Sequence, residues 1–312
     1  MEFAMLLVSK LASMLLMIAV GFIIVKCGIL KVEDSRPIST LVVYVLTPCL
    51  IIRAFQVDLT PERMQGFLAS VIFTAGSYIL WIVLCKLLKK PFHITPIDEA
   101  TLVYSNVGNL TLPLISWVLG EEMVFYVGTM QLPFILFVWT HGYKTIQGEG
   151  KINWKKILLN TNLIALYIGI ALMIAQIRLP EVLETTMAAF TNMVGPASML
   201  VAGMVLAGAS LRRILLYKRA YLICFGRLIV FPIASMLVLY VSGVGKAHPE
   251  WIPILMAIMI GLAAPPASTV SQLAVVYNKE AAKANIYNVM GLLLCIVTIP
   301  LIAMMYRALF GM

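Results

Sequence analysis

The chain has 312 residues, of which 62% are hydrophobic and 12% are charged, and its formal net charge is +9. About a quarter of the residues are charged in an average soluble domain. The acidic residues lie in or beside short polar gaps between long apolar runs, because an unpaired carboxylate is costly in lipid. This composition excludes a soluble globular protein and predicts an all-α integral membrane protein.

Ten apolar stretches are long enough to cross a bilayer as helices. Crossing about 30 Å of hydrocarbon takes about 20 apolar residues, and only a helix satisfies its own backbone there. In chain order, the predicted spans cover residues 3–25, 38–57, 66–88, 100–119, 122–143, 157–177, 186–211, 220–242, 251–276 and 284–306. The gaps between them leave no room for a soluble domain, so the lipid bilayer is the expected surrounding of the chain.

Basic residues are unevenly divided between alternate loops. One side collects 16 lysines and arginines and the other collects five, while Lys10 and Arg227 fall inside spans. Cytoplasmic loops are enriched in Lys and Arg. The richer side is therefore predicted to face the cytoplasm, in a cytoplasmic membrane, with both termini extracytoplasmic. The same bias explains the net charge of +9 without a nucleic-acid partner.

The two halves of the chain resemble each other. A glycine and a proline are 27 residues apart in both halves, at Gly21 and Pro48 and again at Gly169 and Pro196. In each half, moreover, the fourth span carries proline and small or polar residues near its middle. The pattern predicts an internal repeat.

The number of spans in each half, five, determines how the two repeats are oriented in the membrane. An odd number of spans makes the second copy enter the membrane from the opposite side, so the repeats are inverted. The predicted organisation is a first five-helix repeat over 1–147, a cytoplasmic linker over 148–156 and a second five-helix repeat over 157–312.

Spans four and nine are predicted to break near the bilayer middle, at Pro113 and at Pro265 with Pro266. A proline inside a helix removes one hydrogen bond and clashes with the carbonyl a turn earlier. Free backbone groups at that depth must line a cavity, and the N-terminal ends of half-helices attract anions. If the breaks cross, they form a site whose predicted substrate-binding residues are Asn106, Gly108, Asn109, Thr111, Pro113, Pro265, Pro266, Ser268, Thr269 and Gln272.

The substrate is expected to be a small organic anion, a mono- or dicarboxylate. A cation would need an acidic partner, and no span interior holds Asp or Glu, whereas neutral donors and helix ends can hold an anion. Snorkelling toward an interface is the simpler interpretation of Lys10 and Arg227. His141 fits either an interfacial histidine, the simpler interpretation, or a proton carrier.

Other classes of membrane protein are less well supported. The five cysteines show no paired spacing and the three histidines lie in different segments, so no metal site, cofactor or intramembrane enzyme is predicted. An inverted repeat provides two similar conformations open to opposite faces, as a carrier working by alternating access requires. A passive anion channel shares these features, and a non-transporting receptor would need an output domain. Both stay open as alternatives.

Short motifs along nearly the whole chain resemble the auxin efflux carrier family, which is similar in fold to the bile acid:sodium symporters. They are YVLTPCL at 44–50, SNVGN at 105–109 followed by Pro113, MVLAGASL at 204–211, AAP at 263–265 with Tyr277, and TIPL at 298–301. The resemblance implies ten helices in two inverted repeats and a substrate site where broken helices four and nine cross. It also implies a homodimer formed through the first helices of each repeat.

Carried onto this chain, the family pattern places Asn106, Pro113 and Pro265 at the crossing. Two departures limit what the resemblance implies. Many bacterial members have an asparagine where this chain has Ser268 and Thr269. Bile acid symporters place a glutamate in the crossing region for sodium, and this chain has none there, which argues against sodium coupling.

Overall fold

A computed structural model describes residues 2–148 and 154–312, and this part of the chain is helical with no β-strand. The linker predicted over 148–156 lies largely outside the described residues. The helices are α1 Glu2–Lys26, α2 Val32–Ala54, α3 Pro61–Leu88, α4 Pro96–Val103, α5 Leu112–Leu119, α6 Glu121–Gln147, α7 Trp154–Leu158, α8 Thr161–Ile174, α9 Glu181–Gly208, α10 Leu211–Leu216, α11 Lys218–Val241, α12 Val244–Ala247, α13 Pro249–Leu262, α14 Ser268–Val276 and α15 Ala281–Phe310.

Seven of the described helices are long and apolar enough to cross a membrane, namely α1, α2, α3, α6, α9, α11 and α15. Helices α8 and α13 are apolar but shorter. The prediction of a helical, multi-pass membrane protein is therefore confirmed.

Span six is shorter than predicted and begins later. Its expected range was 157–177, but α7 ends at Leu158 and α8 starts only at Thr161. The reason is local, because the Asn160 side chain caps the new helix by accepting a hydrogen bond from the backbone N–H of Asn162 at 3.0 Å.

Glycines allow α1 and α9 to pack backbone against backbone. A Cβ atom on Gly203 would collide with the carbonyl oxygen of Ile18, and one on Gly21 would collide with the carbonyl of Leu200. Small residues at such crossings let membrane helices approach closely and gain van der Waals contact. Any larger side chain at either glycine must push the two helices apart.

Asp98 anchors the start of α4, at the predicted cytoplasmic end of the molecule. Its fully buried carboxylate accepts hydrogen bonds from Arg219 at 2.5 Å and from the Tyr287 hydroxyl at 2.6 Å, and it pairs with Lys283 at 3.1 Å. Burial by itself would raise the pKa of Asp98, but the bonds from Arg219 and Tyr287 outweigh it and hold the pKa below the ordinary value. The ionised carboxylate thus ties α4 to α11 and α15.

Arg227 does not snorkel, so that interpretation is wrong. Its side chain is fully buried in α11, its Nη2 donates to the carbonyl of Leu262 at 2.9 Å, and its guanidinium lies 4.7 Å from the centre of the Trp81 ring. Leu262 is the last residue of α13, and the carbonyl end of a helix carries partial negative charge. A cation–π contact and a helix end therefore replace the interface as the partners of this charge.

Candidate functional site

The fourth and ninth apolar segments are both interrupted, and the interruptions cross. Between α4 and α5, and between α13 and α14, the chain leaves the helix and forms one short antiparallel bridge. The N–H of Asn106 donates to the carbonyl of Pro265 at 2.9 Å, and the N–H of Ala267 donates to the carbonyl of Tyr104 at 2.9 Å. Backbone groups freed by each break are thus partly satisfied by the other break.

The first break does not lie at Pro113, as the sequence suggested. The chain leaves the helix after Val103, and Pro113 is the second residue of α5, within its first turn. A π-turn over Val107–Thr111 comes immediately before α5 and widens the helix where the proline ring would clash. In the ninth segment, by contrast, Pro265 and Pro266 do lie within the break.

Two further glycines let neighbouring helices pack on the crossing. A Cβ atom on Gly291 of α15 would collide with the ring of Pro266. One on Gly261 of α13 would lie 2.8 Å from the Met130 sulfur and 3.2 Å from the Thr111 methyl group. The crossing is therefore surrounded by close helix contacts on these sides.

A cavity of about 430 Å³ lies beside the crossing. Five of the ten predicted site residues line it: Asn106, Gly108, Ser268, Thr269 and Gln272. They come from both breaks, so the structure brings together residues that are about 160 positions apart in the chain.

The other five predicted residues stand differently. The side chain of Asn109 lies outside the described part of the chain. Thr111 is buried and its hydroxyl donates to the carbonyl of Asn106 at 3.1 Å. Pro113, Pro265 and Pro266 shape the backbone around the breaks and are not among the residues lining the cavity.

Several lining residues were not predicted from the sequence. They include Gln131 of α6, the run of residues 160–162 at the start of α8, and the aromatic residues Tyr44, Phe134 and Trp139. A signal for the run was present, since three consecutive polar residues interrupt an apolar stretch with an N-cap pattern. No comparable signal exists for Gln131, which becomes a site residue only through the packing of α6 against the break.

The lining of the cavity is polar and, among the described residues, contains no charged side chain. Two helices begin among the lining residues, α14 at Ser268 and α8 at Thr161. The N-terminus of a helix carries roughly half a positive charge, shared by N–H groups without helical partners. These two helix starts therefore contribute positive partial charge to the lining.

The cavity extends from the crossing toward one end of the molecule. Its lining runs from the crossing to Leu159 and Asn160 at the start of α8, the end that carries most of the basic residues. On the other side of the crossing, Gly195 of α9 packs against α5, so that a Cβ atom there would lie 3.1 Å from Pro113 and 3.2 Å from Trp117.

Ion pairs join helices at this opposite end. Arg53 at the end of α2 bonds Glu184 of α9 at 2.9 Å and Glu121 of α6 at 3.2 Å. Arg178 also pairs with Asp58. Partly exposed pairs of this kind contribute little to stability individually, but those of Arg53 link α2, α6 and α9 at this end.

Broken helices crossing beside a polar cavity, within a multi-pass helical protein, define a class of membrane proteins that bind a solute within the bilayer. The chain belongs to the membrane transport protein family, whose model matches residues 6–152 and 150–303. The resemblance to auxin efflux carriers is thereby confirmed. The family consists of transporters and not of enzymes, so the prediction that the chain is not an enzyme is confirmed as well.

A more distant similarity links the chain to a named plant protein. A stretch of 168 residues is 26% identical to Protein PIN-LIKES 1 of Arabidopsis thaliana. The matched stretch covers 46% of this chain and 35% of the relative, so the chain spans well under two thirds of the relative's length in this comparison.

Proposed function

We propose that the protein is a secondary carrier that moves a small organic anion, a mono- or dicarboxylate, across the cytoplasmic membrane by alternating access. The observation that carries this proposal is the cavity beside the crossed breaks, whose described lining includes many polar side chains, no charged one and the first residues of two helices. In this proposal, ten transmembrane helices form two inverted five-helix repeats, and both termini are extracytoplasmic.

The packing of the helices supports an inverted repeat. In the first half, Gly21 of α1 packs against Leu200 of α9, while in the second half Gly169 of α8 packs against Phe55 at the end of α2. The first helix of each half thus uses a corresponding glycine to contact the second helix of the other half. Two successive matches to one family, over 6–152 and 150–303, agree with this division.

The properties of the cavity support a small anion. About 430 Å³ is within the usual range for small-molecule sites, which begins near 300 Å³. Asn106, Ser268, Thr269 and Gln272 supply amide and hydroxyl donors. A carboxylate can accept hydrogen bonds from such donors and from helix N-termini without a fixed cation in the site.

Close packing beyond the crossing supports a carrier over a passive channel. A channel needs a continuous path, whereas α9 packs closely against Pro113 and Trp117 beyond the crossing. A conformation with one side open and the other closed is one of the two states that alternating access requires.

Ligand binding can be measured first on purified protein in detergent, by thermal unfolding with pyruvate, malonate or succinate. A ligand present at about 100 times its dissociation constant stabilises the folded state by about 2.7 kcal/mol. Asn106→Ala should abolish the shift, and Asn285→Ala on the exposed face of α15 should keep it. Folded protein that responds to none of the three acids would contradict the proposed anion site.

Counterflow in proteoliposomes then separates a carrier from a channel. Vesicles loaded with unlabelled acid should take up the labelled acid faster than empty vesicles, because exchange through an alternating site needs no empty return step. Asn106→Ala should lose this acceleration. Uptake that is equally fast with and without internal acid would identify a channel and overturn the carrier proposal.

A further inference from the structure

A second cluster of ionisable side chains lies at α4, and its members are not among the residues that line the cavity. The carboxylate of Glu99 is 7% exposed, and its Oε1 lies 3.3 Å from Nε2 of His141 in α6. The other ring nitrogen, Nδ1, lies 2.9 Å from the hydroxyl of Tyr104, which is fully buried. The imidazole therefore bridges a carboxylate and a phenol hydroxyl.

This arrangement can hold one proton more or less without breaking apart. With the proton, both ring nitrogens of His141 carry hydrogen, so the ring donates to Glu99 and to Tyr104, and the Tyr104 hydroxyl donates to the carbonyl of Phe137 at 2.9 Å. When Nδ1 loses its proton to water, the Tyr104 O–H can turn and donate to that nitrogen. One proton is bound or released, and the Tyr104 O–H exchanges its bond to the Phe137 carbonyl for one to Nδ1.

Tyr104 connects this cluster directly to the crossing. Its hydroxyl contacts His141, and its backbone carbonyl accepts the hydrogen bond from the N–H of Ala267. Asn106, two residues further along, lines the cavity. Gly142 packs against the Tyr104 ring, since a Cβ atom there would lie 2.7 Å from it. A change in the hydrogen bond of the Tyr104 hydroxyl therefore takes place two residues along the chain from a residue that lines the cavity.

Several ionisable groups surround the cluster and act on the carboxylate of Glu99. The titratable groups around it are Tyr78, Cys85 and Lys86 of α3 and Lys89 just after that helix. The hydrogen bond from His141 lowers the pKa of Glu99, and the two lysines act in the same direction. Glu99 therefore stays ionised near neutral pH. Asp98, the neighbouring acid, is already held by Arg219, Lys283 and Tyr287.

We propose that Glu99, His141 and Tyr104 form the binding site of a coupling proton, which is carried together with the anion. This inference rests on the proposed carrier function and names its driving ion. Binding of anion and proton in one conformational cycle reduces the net charge that has to be moved through the bilayer.

The test uses proteoliposomes with an alkaline interior, a clamped membrane potential and whichever labelled acid stabilises the protein best among pyruvate, malonate and succinate. Protein-free vesicles correct for passive entry. With one proton per anion, a gradient of about one pH unit supports about tenfold accumulation, since a tenfold ratio corresponds to about 1.4 kcal/mol. In His141→Gln, uptake should no longer respond to the gradient, and Glu99→Gln should show a weakened response.

A matched control is available at the other end of the molecule. His248 also pairs with a glutamate, with Nδ1 3.1 Å from Glu250, but both side chains are about half exposed and lie at the start of α13, at the opposite end of that helix from the crossing. His248→Gln should accumulate the acid as the wild type does. Counterflow at equal pH on both sides is measured for every variant, together with its thermal unfolding.

The outcomes separate the two proposals. Wild-type counterflow without a response to the gradient, or a full response in folded His141→Gln, would overturn the proton site and leave the carrier intact. Loss of counterflow together with the gradient response in both His141→Gln and Glu99→Gln would assign the cluster a structural role and also overturn it. No wild-type counterflow with any of the three acids would instead overturn the carrier proposal itself.

Discussion

Replacing Gly195 with alanine should shift the protein toward a conformation open at the extracytoplasmic end. The added methyl carbon would lie 3.1 Å from the Cβ of Pro113 and 3.2 and 3.3 Å from two ring carbons of Trp117. All three distances are shorter than ordinary carbon contacts of about 3.5 Å or more. The clash exists only while α9 packs against α5, as it does in this structure.

The expected size of the shift follows from the cost of overpacking, which is typically about 1 to 3 kcal/mol. Alanine also favours a helix over glycine by about 1 kcal/mol, but this gain is the same in both conformations and cancels from their ratio. A net change of about 1.4 kcal/mol would raise the population of the outward-open state about tenfold.

The assay is cysteine labelling from outside with a membrane-impermeant maleimide. The five native cysteines are replaced and one is introduced at Thr191, a buried position one turn from Gly195 on the outer side. Labelling should be about tenfold faster with Gly195→Ala if the shift is about 1.4 kcal/mol. Gly76→Ala, where an added Cβ meets nothing within 4 Å, serves as control. An unchanged rate in folded Gly195→Ala would refute the view that this contact closes the outer side.

Two other predictions concern stability. Gly203→Ala should lower the free energy of unfolding by about 1 to 3 kcal/mol, because α1 and α9 must separate, whereas Gly76→Ala should leave it equal or higher; unfolding in detergent measures both. Asp98→Asn should destabilise by about 3 kcal/mol at neutral pH, since two cations lose their partner. Because the folded-state pKa of Asp98 is lowered, this difference should persist down to about pH 4, the unfolded value, and vanish as the pH falls through the folded pKa. A variant as stable as the wild type at pH 7 would contradict the anchoring role.

Hydropathy predicted the membrane character well because it depends on local composition. Most predicted spans overlap an observed helix, with ends displaced by several residues, as in α2, which begins at Val32 and not at 38. Caps and turns explain the displacements. The start of α8 is set by the Asn160 side chain, and a π-turn moves the first break away from Pro113.

Only those site residues could be predicted that lie beside a helix break and can be recognised from the local sequence of the same segment. Asn106, Ser268 and Gln272 were found because polar residues beside a helix break stand out in an apolar run. Gln131 and the start of α8 contribute through packing between distant helices, which no local pattern records. For the same reason the burial of Arg227 was missed, since its partners, Trp81 and Leu262, are far from it in sequence.

The bridge at the crossing also affects how the chain is made. The carbonyl of Tyr104 and the N–H of Asn106 obtain their partners only when Pro265 and Ala267 have been synthesised, about 160 residues later. At typical elongation rates of 5–20 residues per second, this interval lasts roughly ten to thirty seconds. During that time the newly inserted first half holds two polar backbone groups at membrane depth without their final partners, where such groups are costly. Until the ninth segment is inserted, water or the translocation machinery must therefore provide hydrogen-bond partners for these two groups of the fourth segment.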